Sequence, residues 1–196
     1  MTLAGCGGTH PSSNAATSPL PDASRSPSPS PPASSPTPDQ PSSSADASAT
    51  ATPSVAGCLT RDLHGSLGGA DGALGSIYFK LRLTNTGDAP CALGGYGGVS
   101  FVGGHGQQIG AAAQRDHSTG VRLVVLQPGQ TADAQLKVAE AGNYDAADCR
   151  PQTAKGLRVY PPNETASLFV PHRFDACASP AVQLLTIKPY RAADPG

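Results

Sequence analysis

The 196-residue chain has no tryptophan, a single methionine, and aromatic residues at only 5% of its length. No apolar run reaches the roughly 18 residues that a bilayer-spanning helix needs, so no helix of this sequence is expected to cross a membrane. Charge of one sign is also missing. The 13 Lys plus Arg are offset by 14 Asp plus Glu, and they are scattered singly. No basic stripe tracks a phosphate backbone, and the few aromatics are not interleaved with Arg or Lys as base-stacking platforms would be. Nucleic acid is therefore not expected as a partner. There is no Cys-x-x-Cys pair, no Met cluster, and His64, His105, His117 and His172 are far apart in sequence. No metal and no cofactor are expected.

What is abundant is concentrated at one end. Residues 9–56 contain 14 Ser, 11 Pro, 9 Ala and 5 Thr, with Leu20 and Val55 as the only large aliphatics and no aromatic. Such a stretch cannot bury enough apolar area to offset the entropy of ordering its backbone, and each Ser-Pro pair disfavours helix at the serine. It reads as a disordered Ser/Pro/Ala-rich tether. Its span lies between roughly 40 Å as a flexible coil and roughly 150 Å as polyproline II. Residues 57–190 then make one domain, followed by a short tail at 191–196.

Within that domain the apolar rhythm has period two. Ile77, Phe79, Leu81 and Leu83 alternate with Tyr78, Lys80, Arg82 and Thr84, and Ala132, Ala134, Leu136 and Val138 alternate with Asp133, Gln135 and Lys137. This predicts strands with one face buried and one wet. Shorter strands are expected at 98–102, 121–126, 156–160, 166–170 and 182–188. Asp71-Gly72 suits a primed hairpin turn, Asn85-Thr86-Gly87 a type I turn with a bulge, and Gln127-Pro128-Gly129-Gln130 a type II turn. No segment keeps a helical rhythm for three turns. The expectation is an all-β, two-sheet sandwich.

Cys58, Cys91, Cys149 and Cys177 allow three pairings. If the chain reverses near Asp71, Cys58 comes opposite about Thr84, and the turn at 85–90 returns Cys91 to the same end. That favours Cys58 with Cys91 and leaves Cys149 with Cys177. Each bridge closes a loop of about 30 residues, worth roughly 3–4 kcal/mol in the chain-entropy picture. Disulfides imply an oxidising compartment.

Cys6 stands apart from these. Leu3-Ala4-Gly5-Cys6 resembles the lipobox of bacterial lipoproteins, in which small residues before a cysteine mark the cleavage site and the thiol is acylated. The resemblance implies lipid attachment at Cys6, with residues 1–8 a remnant of the signal peptide. The charged and apolar parts of that peptide would precede Met1.

The segment YFKLRLTNTGDAPCALGGYGGVSF resembles the domain-of-unknown-function 4232 family of actinobacterial secreted proteins and lipoproteins. The features that carry it are Leu83-Thr84-Asn85-Thr86, Cys91 and Gly95-Tyr96-Gly97-Gly98-Val99. Leu126-Gln127-Pro128-Gly129-Gln130-Thr131-Ala132 and Gly156-Leu157-Arg158-Val159-Tyr160-Pro161-Pro162 look like its later strands and turns. Gly97 stands where that family usually has proline, so a less rigid turn is expected after Tyr96. The resemblance implies an immunoglobulin-like sandwich, export, frequent lipid anchoring and no established activity.

Catalytic patterns are weak. His64-Gly65-Ser66-Leu67-Gly68 lacks the first glycine of a nucleophile elbow and no helix follows. The glycine clusters at 94–98 and 103–106 do not match the spacing of a dinucleotide fingerprint. Asp116-His117 has no evident nucleophile beside it. Asn163-Glu164-Thr165 matches a glycosylation sequon, which in a bacterial envelope protein reads as coincidence. The expected function is a non-enzymatic binding or structural module. It is held to the outer face of the cytoplasmic membrane through acylated Cys6, and loops around Tyr96, His105 and His117 form its binding surface. Its partner would be an envelope protein, a wall polymer or a small ligand. The alternative is a hydrolase or metal-binding protein with a site near His105, Asp116 and His117.

Overall fold

Residues 54–193 are described by a computed structural model; Cys6 and the tether up to residue 53 lie outside the described residues. The first hairpin joins β1 (Leu63–Ala73) to β2 (Ser76–Asn85). Its reversal corrects the expectation. Asp71 and Gly72 are paired in the strand, with Tyr78 and Ile77, and the chain turns at Leu74-Gly75. Both turn residues have positive φ, 49° and 69°, as a type I′ turn demands. Asp-Gly is the commoner carrier of that turn, but register is set further along the hairpin, by the buried alternation of Phe79, Leu81, Leu83 and Asn85 in β2.

β2 continues one sheet, and β8 (Thr131–Ala139) lies beside it. Next come β11 (Leu185–Ile187) and, parallel to that, β6 (Gln114–Arg115), while β12 (Arg191–Ala192) pairs with β8. The facing sheet runs β10 (Leu168–Cys177), β9 (Pro151–Tyr160), β4 (Gly98–Val102), β5 (Gln108–Ile109). β3 (Cys91–Gly94) and β7 (Leu123–Leu126) form a small third layer. The only α-helix among the described residues is one turn, α1 (Ala146–Cys149), so no described helix is long and apolar enough to cross a membrane. The architecture is the expected all-β sandwich.

The core closes where the apolar halves of the two alternations meet the facing sheet. Leu81, Leu83, Ala134 and Leu136 are fully buried against Val99, Phe101, Leu157 and Val159. β10 departs from regular pairing between Pro171 and Phe174, where His172 and Arg173 stand opposite Lys155 alone. This bulge turns the strand so that the His172 ring packs on both Phe79, at 5.3 Å, and Phe174, at 4.5 Å.

Cys58–Cys91 and Cys149–Cys177 are the disulfides. The first pairing was expected, yet it arises by another route. His64, not Cys58, pairs with Thr84. Cys58 reaches Cys91 because residues 56–58 run beside β3 as a parallel partner, with Gly57 bridged to Ala92 and N–H···O bonds Cys58 to Ala92 and Ala92 to Ala56. On the outward side of this layer Val55 and Leu59 flank Gly57, while Leu123 and Val125 flank the other side. All four remain exposed, Leu123 at 75%. Just beyond Leu59, the Thr60 backbone N–H and hydroxyl both donate to the Glu164 carboxylate, at 2.8 and 2.7 Å, which holds that carboxyl below its ordinary 4.5.

Candidate functional site

The loop between β3 and β4 carries Tyr96, and the segment leaving β6 carries Asp116 and His117. The structure brings these three together. The Tyr96 hydroxyl donates to the Asp116 carbonyl oxygen at 3.2 Å and lies 3.3 Å from His117 Nδ1. The two rings stand 5.2 Å apart, and the Arg115 guanidinium carbon lies 5.6 Å from the Tyr96 ring centre. Cation–π attraction is worth about 0.5–1 kcal/mol at such an exposed site, enough to orient the arginine but not to anchor the loop.

The Asp116 carboxylate makes its hydrogen bond and its ion pair with residues other than His117. One oxygen accepts the Ser118 backbone N–H at 2.8 Å, and the other stands 4.0 Å from Lys188 Nζ. Hydrogen bonds from Ser118, first from its side chain and then from its backbone, hold the carboxyl below its ordinary 3.8, with Lys188 adding to the effect. The histidine is thus positioned by a tyrosine, and the carboxylate is kept charged at the surface beside a lysine.

His105 does not join this group. It sits on the tight reversal between β4 and β5, where Gly106 N–H bonds Gly103 O and the His105 N–H donates to the Gln107 side chain. The glycines at 103–106 are turn residues, as their spacing suggested. Among the described residues no cluster of three or more His, Cys, Asp or Glu could hold a metal ion.

Tyr96 is placed from behind by Tyr190, whose N–H bonds Gly95 O. The Tyr190 ring is wholly buried, and burial, with the charge of Asp133, pushes its hydroxyl well above the ordinary 10.0. A Cβ on Gly97 would come within 3.2 Å of that ring and 3.1 Å of the Tyr160 carbonyl oxygen. The residue after Tyr96 is therefore confined by close packing despite lacking a side chain.

Two further features were missed from the sequence. The mouth of the sandwich holds a groove of about 410 Å³ lined by Ile77, Val138, Ala141, His172 and Phe174, with Glu140, Arg173 and Asp175 also on its wall. No pattern announces it, because it depends on the bulge in β10. The second is the outward face of the larger sheet, where Tyr78, Gln135, Lys137, Thr186 and Lys188 meet Asp116 around a polar recess of about 300 Å³. Its signal was present in the polar half of each alternation; the cross-strand register was not.

A family model described as a domain of unknown function (DUF4232) matches residues 58–191. No curated protein and no solved structure matches the chain.

Proposed function

The chain belongs to the DUF4232 family of domains of unknown function, and from that premise we propose that it is an exported cell-envelope lipoprotein whose sandwich binds a partner and performs no reaction. The observation that carries this reading is the pair of disulfides, Cys58–Cys91 and Cys149–Cys177. Bridges of this kind form and persist outside the reducing cytoplasm. The lipobox-like Leu3-Ala4-Gly5-Cys6 supports acylation at Cys6 and residence on the outer face of the cytoplasmic membrane. A diacylated cysteine supplies two chains, enough for stable anchoring where one is marginal. The Ser/Pro/Ala-rich stretch then serves as the tether that carries the sandwich toward the wall.

Binding is favoured over catalysis by how the Asp116 carboxylate is used. A base–orienter pair needs that carboxylate on the histidine; here Ser118 and Lys188 hold it, and His117 rests on Tyr96. The test is metabolic labelling with a palmitate analogue of cells that express the protein with its native upstream sequence. Wild-type protein takes up label and Cys6→Ser does not. Equal labelling of the two overturns the anchor.

A further inference from the structure

The registers of the larger sheet put a defined set of side chains on its outward face. Ser66, Arg82 and Asp133 stand in one cross-strand row, with Arg191 beside Asp133. Gly68, Lys80 and Gln135 form the next row, and the Lys188 N–H bonds Gln135 O at its end. Asp71, Tyr78, Lys137 and Thr186 form the third. Cations outweigh carboxylates on this face. Asp133 is matched by Arg82, whose Nε lies 3.4 Å away, and Asp116 by Lys188, which leaves Lys80, Lys137 and Arg191 against Asp71 alone. The chain as a whole carries a formal charge of −1, so this local excess is an asymmetry of placement.

The recess between these rows sharpens what could bind. Lys137 and Lys188 offer ammonium donors, Gln135 an amide, and Thr186 and Tyr78 hydroxyls, with the Tyr78 ring as an apolar wall. Asp116 is the one carboxylate on its border, and it is held in its charged form. A bare inorganic anion would meet the lysines but offer that carboxylate no donor. A ligand that carries hydroxyl groups along with its negative charge would instead donate to Asp116 while its oxyanion meets the lysines. A volume of about 300 Å³ suits one sugar residue, and successive rows lie about 7 Å apart, two residues along each strand, so further charges of a chain would meet Lys80 and then Arg191.

We propose that the outward face around Tyr78, Lys137 and Lys188 binds an acidic glycan chain, with one acidic sugar seated in the recess. The proposal rests on the reading of the sandwich as an envelope binding module and names its ligand class. Lysine at two sides supplies affinity that falls with salt, and Asp116 with Gln135 supplies discrimination for sugar hydroxyls.

The test is calorimetry on the full chain with both disulfides formed, using oligogalacturonic acid, its neutral methyl ester, and inorganic phosphate as probes. The acid binds, and binding weakens as salt is raised. The methyl ester binds at least about tenfold more weakly, as do Lys137→Glu and Lys188→Glu with the acid, whereas Tyr144→Ala matches wild type. Asp116→Asn is the deciding variant. Weaker binding supports a seated sugar; tighter binding means a polyanion attracted by charge alone and overturns the proposal. Absence of binding to the acid, equal binding of the ester, or displacement by equimolar phosphate also overturns it. Such a failure with Cys6-dependent labelling intact removes the ligand class and leaves the anchored module standing; lost labelling leaves any sugar binding untouched.

Discussion

Asn85 carries more of the fold than any other polar side chain described. It is 1% exposed, its Nδ2 donates to the carbonyls of Ala89 and Leu126 at 2.9 and 3.0 Å, and its Oδ1 accepts the Gly87 N–H at 3.0 Å. Its backbone N–H and carbonyl bond Gln130 and Gly129. One residue therefore ties the end of β2 to the turn that follows it, to the end of β7 and to the turn that opens β8. This gives a physical reason for asparagine in the Thr-Asn-Thr segment: only a side-chain amide offers donors and an acceptor at that length. Asn85→Ala orphans these groups and is expected to lower stability by about 2–3 kcal/mol, read from the urea midpoint at unchanged slope. Asn85→Asp is expected to fail in the same direction, since it keeps the acceptor and loses both donors.

At the scale of elements, the hairpin β1–β2 shows where sequence reading succeeds and where it stops. The alternation from Ile77 to Leu83 named β2 and its buried face, because burial on one side fixes a period of two. β1 was not named: Leu63 to Ala73 holds Gly65, Gly68, Gly69 and Gly72 and little alternation. Its glycines answer to neighbours far away in the chain. A Cβ at Gly68 would strike the Arg82 guanidinium, and one at Gly65 would strike Val170. The turn was missed for a related reason, since leucine at positive φ is locally unfavourable and is imposed by the pairing on either side. Leu74 is fully exposed, so nothing apolar is lost by replacing it. Leu74→Asn is expected to stabilise by about 0.5–1 kcal/mol, seen as a rise in melting temperature. A fall would mean that the tip makes contacts which its exposure denies. The candidate site divides in the same way. Tyr96 and His117 were legible as loop residues, but their contact was not, because it depends on β6 pairing in parallel with β11.

For the molecule as a whole, each bridge encloses the two strands at one end of a sheet, and the two ends meet where β1 packs on β10. The span 58–91 holds β1 and β2, and the span 149–177 holds β9 and β10. Together they are a large share of the stability available to a domain of this size. They also decide how the domain answers tension. A pull applied at the N-terminal side enters through residues 56–58, whose hydrogen bonds to β3 run across the pull, and passes from Cys58 directly into Cys91. The hairpin between those cysteines bears none of the load. A single chain stretched between its ends is therefore expected to lengthen in two distinguishable amounts. With the bridges intact, the 33-residue and 28-residue spans cannot extend; after reduction the release on unfolding grows by roughly 200 Å, at about 3.4 Å per residue. Equal lengths before and after reduction in a force-extension trace would mean that the bridges are not formed. In a chain pulled between its two ends, the first cysteine pair works as a mechanical shunt.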